Sequence, residues 1–85
     1  MDLPGFKPYA NHSGQSGIRA YALLPGAILL RFADDRHVYL YDDVMPGAAD
    51  VAAMREHAET GSGLATYVNR HVRTRYRARL DPNAS

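Results

Sequence analysis

The feature that most constrains the fold is an amphipathic stretch between residues 61 and 77. Its apolar side recurs at the i, i+3, i+4, i+7, i+8 spacing that lines one face of an α-helix. The side chains at these positions are Leu64, Tyr67, Val68, His71, Val72 and Tyr76. At 3.6 residues per turn, Arg70, Arg73 and Arg77 fall within about 60° of one another on the opposite face. The stretch therefore predicts a helix that is apolar on one side, basic on the other, and ends near Arg77.

Three short strands with turn residues between them precede this helix. We predict them at Ile18–Leu24, Ala27–Phe32 and His37–Tyr41. Pro25-Gly26 separates the first two strands, since proline fixes φ and glycine tolerates a positive φ. Residues 33–36 separate the last two and include two aspartates, whose side chains bond nearby amides in turns. Connections this short join antiparallel neighbours, so the strands are expected to form a meander.

The turns also determine which side chains share a face of the sheet. A turn centred on residues 34 and 35 places Leu30 opposite Tyr39. The more aromatic face, which we predict to be the core, carries Tyr21, Leu23, Ile28, Leu30, Phe32, Tyr39 and Tyr41. The other face carries Ala20, Ala22, Leu29, Arg31, Val38 and Leu40. Because this second face is still largely apolar, it predicts self-association, for example as a homodimer.

A further helix is predicted between the strands and the amphipathic stretch. It runs from about Ala48 to Thr60, with Gly61 closing it and Ser62 capping the helix that follows. Its inward side chains are expected to be Ala48, Val51, Met54 and Ala58. The predicted fold class is therefore α+β: a three-stranded antiparallel β-meander followed by two C-terminal helices packed on one face.

The chain is short enough that we expect one domain with a thin core, since it has 85 residues. Residues 1–17, rich in proline, glycine and serine, predict an extended N-terminal arm, either pinned by Phe6 and Tyr9 or free. Residues 18–80 are expected to form the α+β domain. Residues 81–85 are expected to be a frayed tail.

Composition excludes several classes of protein. The chain has no cysteine, which rules out disulfides, thiolate zinc sites and a cysteine nucleophile. The first residues lack the basic and apolar regions of a secretion signal, and no apolar run approaches the length of a membrane span. These features predict a cytoplasmic protein with no membrane partner.

No pattern for catalysis, metal binding or cofactor binding emerges from the polar residues. The four histidines, which lack a short ligand spacing, are His12, His37, His57 and His71. His71 lies on the apolar arc of the helix, where we expect a half-buried ring bonded to a backbone carbonyl. The aspartates that fit turn positions are Asp34, Asp35, Asp42 and Asp43. We therefore predict a protein that is not an enzyme and holds no metal or cofactor.

Charge is distributed unevenly along the chain. Seven of the nine acidic residues lie between residues 34 and 59, and five arginines lie between residues 70 and 79. Either these two groups neutralise each other, or the basic end contacts phosphates. The candidate nucleic-acid-binding residues are Arg70, Arg73, Arg77 and Arg79.

A set of spaced apolar and aromatic residues extends across residues 16–77. Its members are Ile18, Tyr21, Ile28, Leu30, Phe32, Tyr39, Tyr41, Val44, Gly63, Tyr67, Asn69, Val72 and Tyr76. This spacing resembles that of the KTSC domain, which occurs at the C-terminus of some lysyl-tRNA synthetases and alone in short bacterial proteins. The sequence departs from that pattern at Val44-Met45-Pro46, where Val-Pro is usual, and in its longer first helix. The resemblance implies a nucleic-acid role and no catalytic residues.

Two functions remain open on the sequence alone. One is weak, sequence-independent binding of RNA or another nucleic acid through the basic C-terminal helix. The other is a protein-interaction or homo-oligomerising module whose arginines pair with acidic groups of a partner. The KTSC-like resemblance favours the first, although no base-reading motif accompanies the arginines.

Overall fold

The structure, a computed structural model, describes residues 5–10, 17–33 and 35–81. Its strands are β1 (Lys7–Pro8), β2 (Ile18–Leu24), β3 (Ala27–Phe32), β4 (Val38–Asp42) and β5 (Ala78–Leu80). Its helices are α1 (Ala48–Thr60) and α2 (Leu64–Tyr67), and α2 continues into a π-helical segment, Val68–Val72. No helix in these ranges is long and apolar enough to cross a membrane. The predicted frayed tail, apart from Asp81, lies outside the described residues.

The strands form one antiparallel sheet in the order β1-β2-β3-β4-β5. The predicted meander is present as β2, β3 and β4, so the α+β class is confirmed. The prediction of three strands is too low, because the meander gains a short strand at each edge. β1 comes from the predicted arm, and β5 comes from the segment after Val72. These edge strands supply partners for backbone groups of β2 and β4 that would otherwise be unpaired.

The strand register predicted from the turns is confirmed. Leu30 pairs with Tyr39 across β3 and β4. Leu24 pairs with Ala27 on either side of the first turn, where Gly26 has a φ of 68°. That conformation is left-handed, and residues with a Cβ atom rarely adopt it. The side chains consequently alternate between the two faces of the sheet as expected.

The aromatic face of the sheet is covered by the helices, as predicted. The main core cluster consists of Tyr9, Ile18, Tyr21, Ile28, Leu30, Phe32, Tyr39, Tyr41, Val51, Met54, Ala58, Leu64, Val68 and Val72. Tyr9 joins this core from the arm, and its hydroxyl accepts a hydrogen bond from the Leu64 backbone N–H at 3.1 Å. Of the two alternatives for the arm, the described part therefore adopts the pinned one.

Helix α1 has the predicted bounds, although Ala48 is exposed rather than inward. Gly61 ends the helix in a left-handed conformation with a φ of 76°, as predicted. The predicted cap at Ser62 is wrong. Gly63 occupies the N-cap position of α2 instead, and no side chain caps that end.

The second helix is shorter than predicted and ends at Val72 rather than near Arg77. A turn closes there with a hydrogen bond of 2.8 Å from the Arg75 N–H to the Val72 carbonyl. The chain then extends, and the Arg77 N–H donates to the Leu40 carbonyl at 2.6 Å. Pairing with the edge of β4 gives this segment backbone partners and brings Leu80 onto an apolar cluster, which a further helical turn would not do.

The second face of the sheet carries a smaller apolar cluster and, among the described residues, no helix. Ala22, Leu29 and Val38 are buried there. The partly buried side chains around them are Phe6, Leu24, Leu40 and Leu80. We call this side of the sheet the open face.

Candidate nucleic-acid interface

The four candidate arginines do not form one helical stripe. Arg70 lies in the π-helical segment, Arg73 follows it directly, Arg77 precedes β5, and Arg79 lies within β5. All four are exposed. Because the second helix ends at Val72, the predicted alignment of Arg77 with the other helical arginines is wrong.

Arg73 and Arg79 lie beside a group of three packed aromatic rings. The Arg73 guanidinium lies over the Phe32 ring, 4.2 Å from its centroid. Phe32 packs edge to face on Tyr39 with centroids 5.2 Å apart, and Tyr39 packs similarly on Tyr76 at 4.9 Å. Arg79 lies directly opposite Tyr39 across β4 and β5, so the two side chains are neighbours on the same face of the sheet. We call these five residues the aromatic–arginine cluster.

Within this cluster, Tyr76 is the ring that a ligand can reach. Phe32 is 3% exposed and Tyr39 is 8% exposed, whereas Tyr76 is only half-buried. The prediction that Tyr39 belongs to the core rather than to a stacking surface is therefore confirmed. A planar ligand group could therefore stack only on Tyr76 among these three rings, and the nearby Arg73 and Arg79 side chains are exposed.

A polar network borders the cluster at the start of β4. The Asp35 carboxylate accepts a hydrogen bond from the Tyr39 hydroxyl at 2.5 Å. Its other oxygen accepts from the His37 backbone N–H at 2.9 Å and lies 2.8 Å from the His37 ring Nδ1. These bonds, the one from Tyr39 foremost, hold the pKa of Asp35 well below its usual range. The same Asp35 hydrogen bond raises the pKa of the Tyr39 hydroxyl.

Replacing Asp35 with asparagine is expected to lower the melting temperature at pH 7 and to have less effect in acid. The folded-state pKa of Asp35 is lowered, so its stabilisation is fully present above the unfolded value of about 3.9 and is lost as the pH falls below it. Thermal unfolding of both proteins between pH 2 and 7 measures this difference. Glu56→Gln, on the exposed side of α1, is the control. A melting-temperature gap for Asp35→Asn that is independent of pH would contradict the assigned role.

Carboxylates neutralise two of the arginines near the sheet. The Arg77 Nε lies 3.5 Å from the Asp42 Oδ2, and the Arg36 Nη2 lies 3.5 Å from the Asp81 Oδ2. Arg75 is also engaged, because its Nη2 donates to the Pro46 carbonyl at 3.4 Å. Arg77 thus belongs to the turn after β4 and stands apart from the aromatic–arginine cluster.

Within the described ranges, the three remaining candidates carry charges that no carboxylate neutralises. In the described part of the chain, Arg70, Arg73 and Arg79 form no ion pair with an aspartate or glutamate within 4.0 Å. The Tyr41 hydroxyl lies 3.4 Å from the Arg73 carbonyl, which ties the end of the helix to the sheet. Burial raises the pKa of that Tyr41 hydroxyl, so it stays protonated and able to donate.

The expectation of a half-buried His71 is wrong, because its side chain is exposed and packs on the Tyr67 ring with centroids 4.7 Å apart. The hydrogen bonds of a π-helix run from i to i+5, which turns each residue through a smaller angle than in an α-helix. Leu64, Val68 and Val72, four residues apart, stay on the buried side. His71, seven residues after Leu64, therefore lies away from the buried side of the helix.

No group of three or more histidine, aspartate or glutamate side chains in the described ranges could hold a metal ion. Asp35 and Asp42 have the turn role that their sequence positions predict, since each accepts hydrogen bonds from backbone N–H groups nearby. Asp34 lies outside the described residues.

Two features of the interface were not predicted from the sequence. Tyr76 was assigned to the apolar side of a helix, but it lies after the helix and packs on Tyr39. The network of Asp35, His37 and Tyr39 was also missed. Its signal is an alternation, since these residues occur at every second position leading into β4 and so project to the same side.

Comparison with known proteins adds no relative, since no family model, curated protein or solved structure matches this chain. The class of protein is thus defined by its fold: a small α+β protein with a five-stranded antiparallel sheet covered by helices on one face. The resemblance to the KTSC domain stays a prediction.

Proposed function

We propose that this protein is a small, non-enzymatic module that binds single-stranded RNA weakly and without sequence preference. The binding surface consists of Arg70, Arg73 and Arg79 with the Tyr76 ring. The observation that carries the proposal is the aromatic–arginine cluster, in which two exposed arginines lie beside the same group of rings.

The arrangement of the cluster fits a single strand better than a duplex. Proteins that bind single strands without reading sequence combine cationic groups that follow the backbone with aromatic rings on which bases stack. Arg73 and Arg79 supply the cationic groups, and Tyr76 supplies a ring. The Arg73 guanidinium is held against Phe32, so less side-chain freedom is lost when it meets a phosphate.

The expected affinity is low. Three arginines offer about three phosphate contacts, against the six to ten of a strongly salt-dependent nucleic-acid binder. The Asp35 carboxylate beside Tyr39 also offsets part of the positive charge. The sequence pI of about 8.1 fits a weak binder better than a dedicated one.

The alternative is a protein-interaction module whose arginines pair with acidic groups of a partner. The same exposed arginines serve this function, so geometry alone favours neither strongly. Tyr76 and the KTSC-like resemblance favour nucleic acid. An acidic peptide and an RNA of similar charge therefore have to be compared directly.

The test is the salt dependence of binding to a fluorescently labelled 20-nucleotide RNA of mixed sequence, measured by anisotropy. Three phosphate contacts predict a slope of log K against log salt of about −2 for a single strand. Arg73→Gln and Arg79→Gln should each reduce the magnitude of that slope by roughly 0.7 and weaken binding to all sequences about equally.

Arg77→Gln is the matched control, because it removes the same charge from an arginine that Asp42 already neutralises. Its effect on the slope should be clearly smaller. Absence of binding to single- or double-stranded RNA and DNA at low salt would refute the proposal. Tighter binding to a polyglutamate peptide than to the RNA would instead select the protein-interaction alternative.

A further inference from the structure

The open face of the sheet is apolar although no described helix covers it. Ala22, Leu29 and Val38 are buried at its centre, and its partly buried rim includes Leu24 and Leu40. The strands are thus apolar on both sides. That pattern is typical of sheets that are covered on both faces, whereas a sheet with one solvated face usually alternates apolar and polar residues.

Among the residues that the structure describes, one buried polar side-chain atom on the open face lacks a hydrogen-bond partner. The Nε atom of Arg31 is buried and has no hydrogen-bond partner. The Arg31 guanidinium also lies 5.8 Å from the centroid of the Phe6 ring, so it is held along the face. A buried donor left unpaired is costly. Arg31 as a whole is only half-buried, so the other N–H groups of its guanidinium can donate to an acceptor outside the monomer.

A carboxylate lies on the same face at the opposite end. In the register of β3 and β4, Arg31 pairs with Val38, Leu29 pairs with Leu40, and Ala27 pairs with Asp42. Arg31 and Asp42 therefore lie on opposite sides of the central Leu29–Leu40 pair, each two residues from it. The open face is apolar in the middle, cationic at one end and anionic at the other.

We propose that two copies of this chain pair through their open faces, with Arg31 of each copy bound to Asp42 of the other. A symmetric face-to-face dimer requires a two-fold axis in the plane of the interface. An axis parallel to the strands places Arg31 of one copy against Arg31 of the other. Repulsion between these two positive charges disfavours that arrangement. An axis across the strands reverses their direction, so each Arg31 faces the Asp42 end of its partner.

Sheet dimensions agree with this arrangement. Packed sheets lie about 10 Å apart with strand directions within about 30° of each other, a distance that an arginine side chain can cross. Asp42 already bonds Arg77 and two backbone N–H groups. Its carboxylate has roughly four acceptor sites, so it can also accept from Arg31.

The dimer is expected to be weak. Five strands spaced about 4.8 Å apart and about five residues long give a face on the order of 400 Å² per copy. The total of about 800 Å² lies below the roughly 1,200–2,000 Å² of stable interfaces and within the range of weak, transient ones. We therefore expect an equilibrium between monomer and dimer that sedimentation analysis detects between roughly 10 μM and 1 mM.

The test is sedimentation equilibrium of the wild type and of two charge reversals, Arg31→Glu and Asp42→Arg. Each variant alone should associate at least tenfold more weakly, because like charges then face each other. An equimolar mixture should recover association, because both contacts across the mixed interface again join opposite charges. Circular dichroism checks that each variant is folded.

Other variants keep the proposal testable if Asp42→Arg does not fold. Leu40→Asp places a charge at the centre of the face and should abolish the dimer. Arg70→Glu changes a charge away from the open face, so it should weaken RNA binding and leave the dimer intact.

Three outcomes would contradict the proposal or its axis. A wild type that remains monomeric at 1 mM, about the weakest affinity expected here, overturns the proposal. A dimer unaffected by Leu40→Asp also overturns it. If mixing Arg31→Glu with the wild type alone restores association, then residue 31 faces residue 31 of the other copy, and the axis across the strands is wrong.

Discussion

Replacing Leu30 with alanine is expected to lower the free energy of unfolding by about 3 to 4 kcal/mol. Leu30 is fully buried in the central strand, in the cluster shared by the sheet and helices. Truncation removes apolar contact and leaves a cavity that surrounding elements can fill only in part. An 85-residue domain has a total stability of roughly 4 to 13 kcal/mol, so much of it would be lost. Urea unfolding monitored by circular dichroism measures the change.

Leu40→Ala is the matched control for this prediction. Leu40 lies in the neighbouring strand on the open face and is only partly buried. Its replacement should cost about 1 kcal/mol in the monomer, because fewer apolar contacts are lost. The measurement is made at low micromolar protein concentration to keep any dimer dissociated. Equal losses for the two variants would show that the helix-covered face is not the dominant core.

The meander could be predicted from the sequence because its determinants are local. Pro25-Gly26 fixes a two-residue turn, and the two-residue period of a strand then assigns every side chain to a face. The same logic correctly paired Leu30 with Tyr39. Helix α1 was equally predictable, since Gly61 provides the left-handed residue that ends it.

The two edge strands were missed because their stabilisation is not local. Residues 77–80 alternate arginine with alanine and leucine, which is a strand period, but they follow directly on a helical pattern. The choice between the two depends on the unpaired edge of β4, which the sequence of this segment does not contain. β1 is similar, because its two residues gain strand structure only by pairing with β2.

The candidate site shows the same division between local and non-local information. Arg79 was chosen only for its charge, whereas exposure of Arg70, Arg73 and Arg77 followed from the helical periodicity of the sequence. The grouping of the four arginines in space could not be predicted from the sequence, because it depends on where the chain reverses after Val72. That reversal brings Arg77 to Asp42 and Arg79 to Tyr39, and only the pairing of β5 with β4 determines these neighbours.

Replacing Gly63 with valine is expected to cost about 3 kcal/mol of stability, from backbone strain and a steric clash together. Gly63 has a φ of 83°, which a β-branched residue rarely adopts. A Cβ atom there would lie 3.0 Å from the His57 Nδ1, which itself lies 3.0 Å from the Ser62 carbonyl oxygen. The side chain would therefore also displace the histidine that holds the α1–α2 turn. Thermal and urea unfolding measure the loss.

Gly17→Val is the control, because a Cβ atom at Gly17 meets no heavy atom within 4 Å and its φ lies outside the left-handed region. This variant should change stability by no more than about 0.5 kcal/mol. The double variant His57→Ala/Gly63→Val removes the histidine ring as well. It should regain the part of the stability that the clash costs, whereas the part that backbone strain costs stays lost. The same turn sets the start of α2 and thereby the position of Arg70, so the Gly63 variant should also bind RNA more weakly than Gly17→Val. Similar stabilities for the two glycine variants would show that the left-handed conformation at Gly63 is not required.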